Sequence, residues 1–271
     1  MLYSTYEIQR NFLAGASALA NVGMELLTNP SNPFSYFGGG PILSSALEVF
    51  AHASAPRGKP SFGLETTSVD GKEARIIEQI EAVKPFGQLR HFVREGVPEG
   101  QPRLLIVAPM SGHYATLLRG TVERMLPDHD VWITDWRDAR DVSLSSGNFD
   151  LDDYIDYLVA WLEHIGPGAH MLAVCQPSVP TYAAICLMSA SKNPARPRSV
   201  TLMGGPIDTR EAPTVVNELA TKRPISWFEH NVVTTVPAYY KGGGRKVYPG
   251  FMQLAGFMSM NLGSHMMSHW A

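Results

Sequence analysis

The sequence has few cysteines, few charged residues and no long apolar run. Two cysteines, Cys175 and Cys186, stand among 271 residues. That is too few for the disulfide framework of a small secreted scaffold, so a reducing, cytoplasmic setting is expected. Charged residues make up 17% of the chain, the formal net charge is -3, and no basic run is present. A nucleic-acid partner is therefore not expected. No run reaches the roughly 18 apolar residues of a membrane span, so we expect a soluble protein without one.

Short, unbroken apolar runs alternate with helical patterns over most of the chain. The runs at 103–109, 130–136, 169–174 and 199–203 predict strands, and the stretches 112–126, 149–166 and 181–191 predict helices. Strands that are apolar throughout are typical of a parallel sheet covered on both faces. Before them, EARIIEQIEAV and QLRHFVREG flank a turn at 84–87 and predict an antiparallel pair. The predicted fold class is α/β, with a mostly parallel sheet and helices on both faces.

Residues 1–54 are predicted to form an N-terminal helical arm, and residues 55–271 the main domain. Apolar residues recur along the arm at helical spacing: Ile8, Phe12, Ala16, Leu19, Val22 and Leu26. This stripe could pack the arm onto the main domain, or it could lie on an external apolar surface. The packed arrangement is favoured, because the polar face lacks the Lys and Arg typical of interfacial helices. Residues 210–260 form a possible lid by analogy with insertions in related folds.

The four aspartates between 150 and 156 could suggest a metal site. However, Asp150 stands where a helix N-cap is expected and Asp153 three residues later, the spacing of a capping box. These residues are therefore interpreted as a helix start. His265 and His269 lie four residues apart, but the sequence nominates no third ligand. No metal site and no cofactor are predicted.

The stretch AVCQPSVPT, residues 173–181, places Cys175 where a predicted buried strand meets a helix. An α/β-hydrolase mounts its nucleophile at this junction, in a tight turn of the form Gly-x-Ser-x-Gly. Ala173 and Pro177 stand at the two glycine positions, and a helix N-terminus favours the reactive thiolate. Buried packing is the commoner role of a lone cysteine, and Cys186, inside an apolar helix, is assigned that role. For Cys175 the pattern favours a nucleophile in an α/β-hydrolase-like sheet.

An acyl-transfer site also needs hydrogen-bond donors for the oxyanion. In this architecture they come from the residue after the nucleophile and from the loop after an earlier strand. The expected donors are the backbone N–H groups of Gln176 and Met110. His113 lies in the same loop as Met110 and is interpreted as a residue without a catalytic part.

The residues also resemble a known family. The segments that carry the resemblance are MLYSTYEIQRNFLAGA, PSNPFSYF, VAPMSGHYATLLRGTVERML, DVWITDWRDARDVSLSSGNFDLDDYIDYL, AVCQPSVPTYAA and SVTLMGGPIDTR. Together they are similar to the intracellular poly(3-hydroxybutyrate) depolymerases over nearly the whole chain. The resemblance implies an α/β-hydrolase fold and an elbow cysteine, Cys175, that forms a thioester with the 3-hydroxyacyl group. It also implies a polyester or oligomer substrate at the surface of cytoplasmic storage granules, and no cofactor.

The sequence departs from the family's pattern after the fourth predicted strand of the parallel sheet. In this fold the acid and the histidine follow the nucleophile, and the family's own acid and histidine lie well beyond that strand. The chain is therefore expected to lack the last strands of the sheet, the acid and the base. Asp208 is the fallback acid, and none of the nine histidines is predicted as the base. Two alternatives stay open: a polyhydroxyalkanoate synthase-like acyltransferase, whose elbow reads Gly-x-Cys-x-Gly-Gly, and a non-catalytic granule-binding fragment.

Overall fold

The structure is a computed structural model that describes residues 2–29, 31, 40–55, 58–98, 100–211 and 213–259. His265 and His269 lie outside the described residues. The chain divides into two compact units, residues 1–60 and residues 61–271. Each unit is described by itself.

The first unit is a pair of helices, α1 (Leu2–Thr28) and α2 (Gly40–Ser54). The two helices pack together through small and polar residues. Ala20 of α1 and Ala51 of α2 are buried, and the Ser17 hydroxyl donates a hydrogen bond to the Ala51 carbonyl over 2.9 Å. Small side chains allow the helix backbones to approach closely.

The large residues of the apolar stripe of α1 lie outside the contact between α1 and α2, and the expected packing of the stripe onto the main domain stays a prediction. Its five large members are exposed: Ile8, Phe12, Leu19, Val22 and Leu26. Periodicity shows that a helix has an apolar face, but it does not show what covers that face. Here the contact between the two helices is made by the smaller residues, so the large ones lie outside that contact.

The second unit is built on a seven-stranded sheet. Its strands are β1 (Thr66–Val69), β2 (Lys72–Lys84), β3 (Gly87–Arg94), β4 (Arg103–Val107), β5 (Asp130–Trp136), β6 (His170–Val174) and β7 (Ser199–Met203). The spatial order is β1-β2-β3-β5-β4-β6-β7. β3 runs antiparallel to both of its neighbours, whereas β5, β4, β6 and β7 are mutually parallel. The predicted antiparallel pair and the predicted parallel sheet are both confirmed.

Helices cover both faces of the sheet. α3 (Arg119–Met125) packs on one face, and α4 (Leu151–Ile165) and α5 (Ser178–Ala190) pack on the other. The chain continues with α6 (Val215–Lys222), α7 (Ile225–Asn231) and α8 (Gly250–Ser259), and a small ribbon adds β8 (Thr234–Thr235) and β9 (Lys246–Val247). Alternate residues of β4 enter two separate cores. Leu105 packs with α4 and α5 on one face, and Ile106 packs with α3 on the other. The alternation explains why the strand is apolar at every position.

The start of α4 accounts for two of the four clustered aspartates. The Asp150 side chain accepts hydrogen bonds from the backbone N–H groups of Asp152 and Asp153, over 3.0 and 3.1 Å. The Asp153 carboxylate accepts in return from the Asp150 N–H over 3.0 Å. This is the predicted capping box, and it satisfies N–H groups that have no partner inside the helix.

One part of the second unit differs from the sequence-based expectation. β7 was expected to be buried, but Ser199, Thr201 and Met203 are exposed, because β7 is an edge strand. Residues 210–260, treated as a possible lid, contain α6, α7, α8 and the small ribbon.

No helix among the described residues is both long enough and apolar enough to cross a membrane.

Candidate active site

Cys175 lies in a tight turn directly after β6. Its φ is +68°, a left-handed conformation that a residue with a side chain adopts at a cost in strain. The Cys175 N–H donates to the Met203 carbonyl at the end of β7 over 2.7 Å, and the side chain is a free, exposed thiol. A strained strand-to-helix turn with an exposed side chain is the geometry of a nucleophile elbow.

A glycine in the loop after the neighbouring strand β7 makes room for this turn. A Cβ at Gly205 would lie 1.9 Å from Ser178 Oγ and 2.7 Å from the Cys175 carbonyl oxygen. No other residue therefore fits at position 205 without a shift of the elbow. The sequence analysis missed Gly205, although the Gly-Gly pair directly after β7 was the signal for it.

The small residues expected around Cys175 are also in place. Ala173 is fully buried in β6. Pro177 has φ -61°, which is the value that its ring imposes, so proline fits the second glycine position. α5 begins one residue later with no acidic residue in its first turn. The free N–H groups and the dipole at this helix terminus favour an anion nearby.

The loop after β4 is held by contacts to Ala108. The Ala108 N–H donates to Thr134 Oγ1 over 2.9 Å, and the Ala108 carbonyl accepts from Trp136 Nε1 over 2.9 Å and from the Tyr154 hydroxyl over 3.4 Å. Burial raises the pKa of Tyr154 far above its ordinary value, so the hydroxyl keeps its proton and can donate. These three side chains fix the strand end that leads to Met110. The sequence analysis did not identify them, because they belong to other elements.

The structure brings Met110 and Gln176 together. β4 and β6 are adjacent and parallel, so their carboxyl ends lie at the same edge of the sheet. The Met110 N–H donates to Oε1 of the Gln176 side chain over 2.7 Å. The Gln176 N–H meets no acceptor within the described part of the chain. Both groups lie beside the elbow, as an oxyanion hole requires, and their role remains a prediction.

Two further residues of the same loop have defined surroundings. His113 Nδ1 lies 3.2 Å from Ser111 Oγ. Desolvation lowers the pKa of His113 below its ordinary value, so the ring is neutral near pH 7. Gly112 has φ +82°, and a Cβ there would lie 2.2 Å from the Gly250 carbonyl oxygen. The first residue of α8 therefore packs tightly against this loop.

The fallback acid, Asp208, is paired with an arginine. Its carboxylate accepts from Arg210 Nε over 2.8 Å and from Arg210 Nη2 over 2.7 Å. These bonds hold the pKa of Asp208 below its ordinary value. Within the described residues no hydrogen bond joins a histidine to Asp208 or to Cys175, and no group of three or more His, Cys, Asp or Glu is placed to hold a metal.

Cys186 contradicts its assignment as a buried filler. Its thiol is exposed on α5, together with Tyr182 and Leu187. α5 is apolar on all sides, so periodicity could not indicate which face is buried. The exposed Cys186 offers a second thiol against which the reactivity of Cys175 can be compared.

The strand order around β3 and the elbow after β6 define an α/β-hydrolase-like protein, as predicted. Residues 204–271, a quarter of the chain, match the family model described as "PHB de-polymerase C-terminus". Over that quarter the match confirms the resemblance to the poly(3-hydroxybutyrate) depolymerases. No curated protein matches the chain.

Among solved structures, the chain is similar to naproxen esterase (carboxylesterase NP) from Bacillus subtilis. The identity is 17%, the TM-score is 0.34, and the match covers 47% of this chain and 42% of the esterase. It is also similar to a protein described as a lipase from Acinetobacter baumannii AYE. There the identity is 15%, the TM-score is 0.35, and the match covers 61% of this chain and 50% of the lipase. The chain thus spans half or less of the length of these structures.

Proposed function

We propose that the chain carries the nucleophile and the oxyanion donors of a poly(3-hydroxybutyrate) depolymerase. The left-handed conformation of Cys175 at the end of β6 carries this proposal. A cysteine that only fills space has no need of a strained backbone, because that strain persists only where the surrounding structure enforces it. The match of residues 204–271 to the depolymerase model supports the choice of polyester as the substrate class.

The proposed reaction has two steps. The Cys175 thiolate attacks the carbonyl carbon of an ester unit, and the N–H groups of Gln176 and Met110 stabilise the charge on the carbonyl oxygen. The carbon–oxygen ester bond then breaks, and the alkoxide end of the neighbouring polymer segment leaves and takes a proton from water. Water next attacks the thioester, which releases the 3-hydroxy acid and returns the thiol.

Exposed apolar surface supports binding to an apolar polyester granule in the cytoplasm. The stripe on α1 is exposed, and so are Val215 and Ile225 at the starts of α6 and α7. Exposed apolar stripes on a helix are typical of interaction sites, and each of these two regions is taken by itself. We expect Ile8→Ser combined with Phe12→Ser to weaken binding to amorphous granules in a sedimentation assay. Gln9→Ser combined with Asn11→Ser, on exposed polar positions of the same helix, is the matched control.

The test of the catalytic proposal is the release of 3-hydroxybutyrate from amorphous poly(3-hydroxybutyrate). Cys175→Ser is expected to lower the rate roughly 10³-fold, because a hydroxyl replaces the far more nucleophilic thiol. Cys186→Ser removes an equally exposed thiol and is expected to leave the rate unchanged. Equal losses in both variants, or polymer growth from 3-hydroxybutyryl-CoA, would contradict the depolymerase proposal.

The same exposed stripe favours a second candidate function, granule binding without catalysis. In that case the wild-type chain and Cys175→Ala would bind granules equally well and neither would release product. Product release by the wild type alone rejects this candidate.

A further inference from the structure

We infer that the side chain of Gln176 is a latch that closes the oxyanion hole until an acyl group displaces it. The inference rests on the proposed function, because it assigns a role within the same site. The latch is the contact in which Gln176 Oε1 accepts the hydrogen bond of the Met110 N–H over 2.7 Å.

The latch occupies the position that the substrate needs. The Met110 N–H has one proton, and a full-strength hydrogen bond to Gln176 leaves none for a reacting carbonyl oxygen. The acceptor that holds the Met110 N–H is the side-chain amide oxygen of Gln176. It is a carbonyl oxygen, like the ester oxygen of the substrate that would replace it. One residue therefore contributes to both sides of the hole: its backbone N–H is a proposed donor, and its side chain covers the other donor.

The surroundings allow the latch to open. The loop that carries Met110 is fixed through Ala108 by buried groups, including Thr134. Gln176, in contrast, is exposed, and its side chain has three rotatable bonds. The Gln176 side chain can therefore turn into solvent while the donor stays in place. A charged oxyanion forms a stronger hydrogen bond than a neutral amide oxygen, so developing charge displaces the latch.

A latch and a positioning contact make opposite predictions for substitutions at Gln176. If the contact is a latch, Gln176→Ala frees the Met110 N–H, and acylation of Cys175 becomes faster by about 2- to 10-fold, the worth of one net hydrogen bond. Gln176→Glu puts a carboxylate on the donor and slows acylation at least about tenfold near pH 7.5. If the contact instead positions Met110, alanine slows the reaction and glutamate, which still accepts, preserves it.

The experiment measures the acylation of Cys175 by p-nitrophenyl butyrate, in a Cys186→Ser background. The thiolate attacks the ester carbonyl, p-nitrophenolate leaves, and a butyryl thioester remains on the protein. Phenolate release gives the rate, and intact mass gives the adduct. Alkylation by iodoacetamide is the control, because displacement of iodide forms no oxyanion. Changes in thiol reactivity alone would alter both rates, whereas the latch alters only the rate of acylation.

The pH dependence of the glutamate variant adds a readout that a structural role would not change. Its acylation rate relative to wild type is expected to rise at least about twofold from pH 7.5 to pH 5, because roughly a sixth of an ordinary glutamate carboxylate is protonated at pH 5. The Met110 amide proton is also expected to move upfield in Gln176→Ala in NMR spectra, because its hydrogen bond is lost. An unchanged Met110 resonance would overturn the latch.

The pattern of rates separates the latch from the proposed function. Wild-type acylation with a slower or unchanged Gln176→Ala variant overturns the latch and leaves the proposed function standing. Acylation that is faster in Gln176→Ala, or that is seen only there, supports both. If neither the wild type nor any Gln176 variant is acylated, although Cys175 is alkylated normally, the proposed function is overturned and the latch with it.

Discussion

Gly205→Ala tests whether the close approach of the β7 loop maintains the elbow. The added Cβ would lie 1.9 Å from Ser178 Oγ, 2.1 Å from Ser178 Cβ and 2.7 Å from the Cys175 carbonyl oxygen. The first of these contacts is roughly 1.5 Å shorter than normal van der Waals separation. The φ of Gly205 is not in the left-handed region, so the clash is the main source of strain.

We expect Gly205→Ala to lower the free energy of unfolding by about 1–3 kcal/mol, the usual cost of overpacking. For a unit of this size that corresponds to a fall in Tm of about 2–4 °C per kcal/mol. The alkylation rate of Cys175 is expected to change as well, because its carbonyl must move. Differential scanning fluorimetry and timed iodoacetamide labelling measure the two effects.

Two further variants test whether the clash at position 205 causes the loss of stability. Ser178→Gly combined with Gly205→Ala removes the two shortest contacts and is expected to recover part of the lost stability. Gly120→Ala, in α3 with nothing within 4 Å of its added Cβ, is the control and is expected to raise Tm or leave it unchanged. A Gly205→Ala protein with the wild-type Tm and wild-type labelling would refute the proposed role of this close approach.

Two other predictions concern the sheet. Thr134→Val leaves the buried Ala108 N–H without an acceptor and should cost about 1–3 kcal/mol in urea unfolding; Thr134→Ser keeps the hydroxyl and should cost less. Burial raises the pKa of Asp130, but hydrogen bonding and charge from His91 outweigh it, so the pKa is lowered overall. Asp130 thus contributes stability above its unfolded pKa, and loses it as pH falls through the lower folded value. The destabilisation by Asp130→Asn should therefore shrink as the pH falls from 6 to 3.

The sheet was largely predictable because its signals are local. Each parallel strand is a short apolar run, and the structure places strands at 130–136 and 199–203 with the predicted bounds. The capping box at Asp150 is also local, since its donors and acceptors lie within three residues. The order of the strands requires more than such signals, because it depends on pairing between segments that are distant in the sequence.

The parts of the site that the sequence did not reveal depend on contacts between distant segments. Gly205 matters because it meets Ser178 on another element. Thr134 matters because it accepts from Ala108 across the sheet. The Gln176 contact joins two loops that are 66 residues apart. The burial predicted for Cys186 was wrong for a related reason: α5 is apolar on all sides, so neighbouring elements decide which of its faces is buried.

The most direct test of the central claim is the capture of an acyl group on Cys175. The protein is mixed with an activated ester of 3-hydroxybutyrate, quenched in acid within milliseconds to seconds, digested and analysed by mass spectrometry. We expect one 3-hydroxybutyryl group on the peptide that contains Cys175, removable by neutral hydroxylamine as a thioester is, and none on Cys186. Acyl groups on Cys186 alone, or an unmodified Cys175 in a protein that still hydrolyses the ester, would contradict the assignment of Cys175 as the nucleophile.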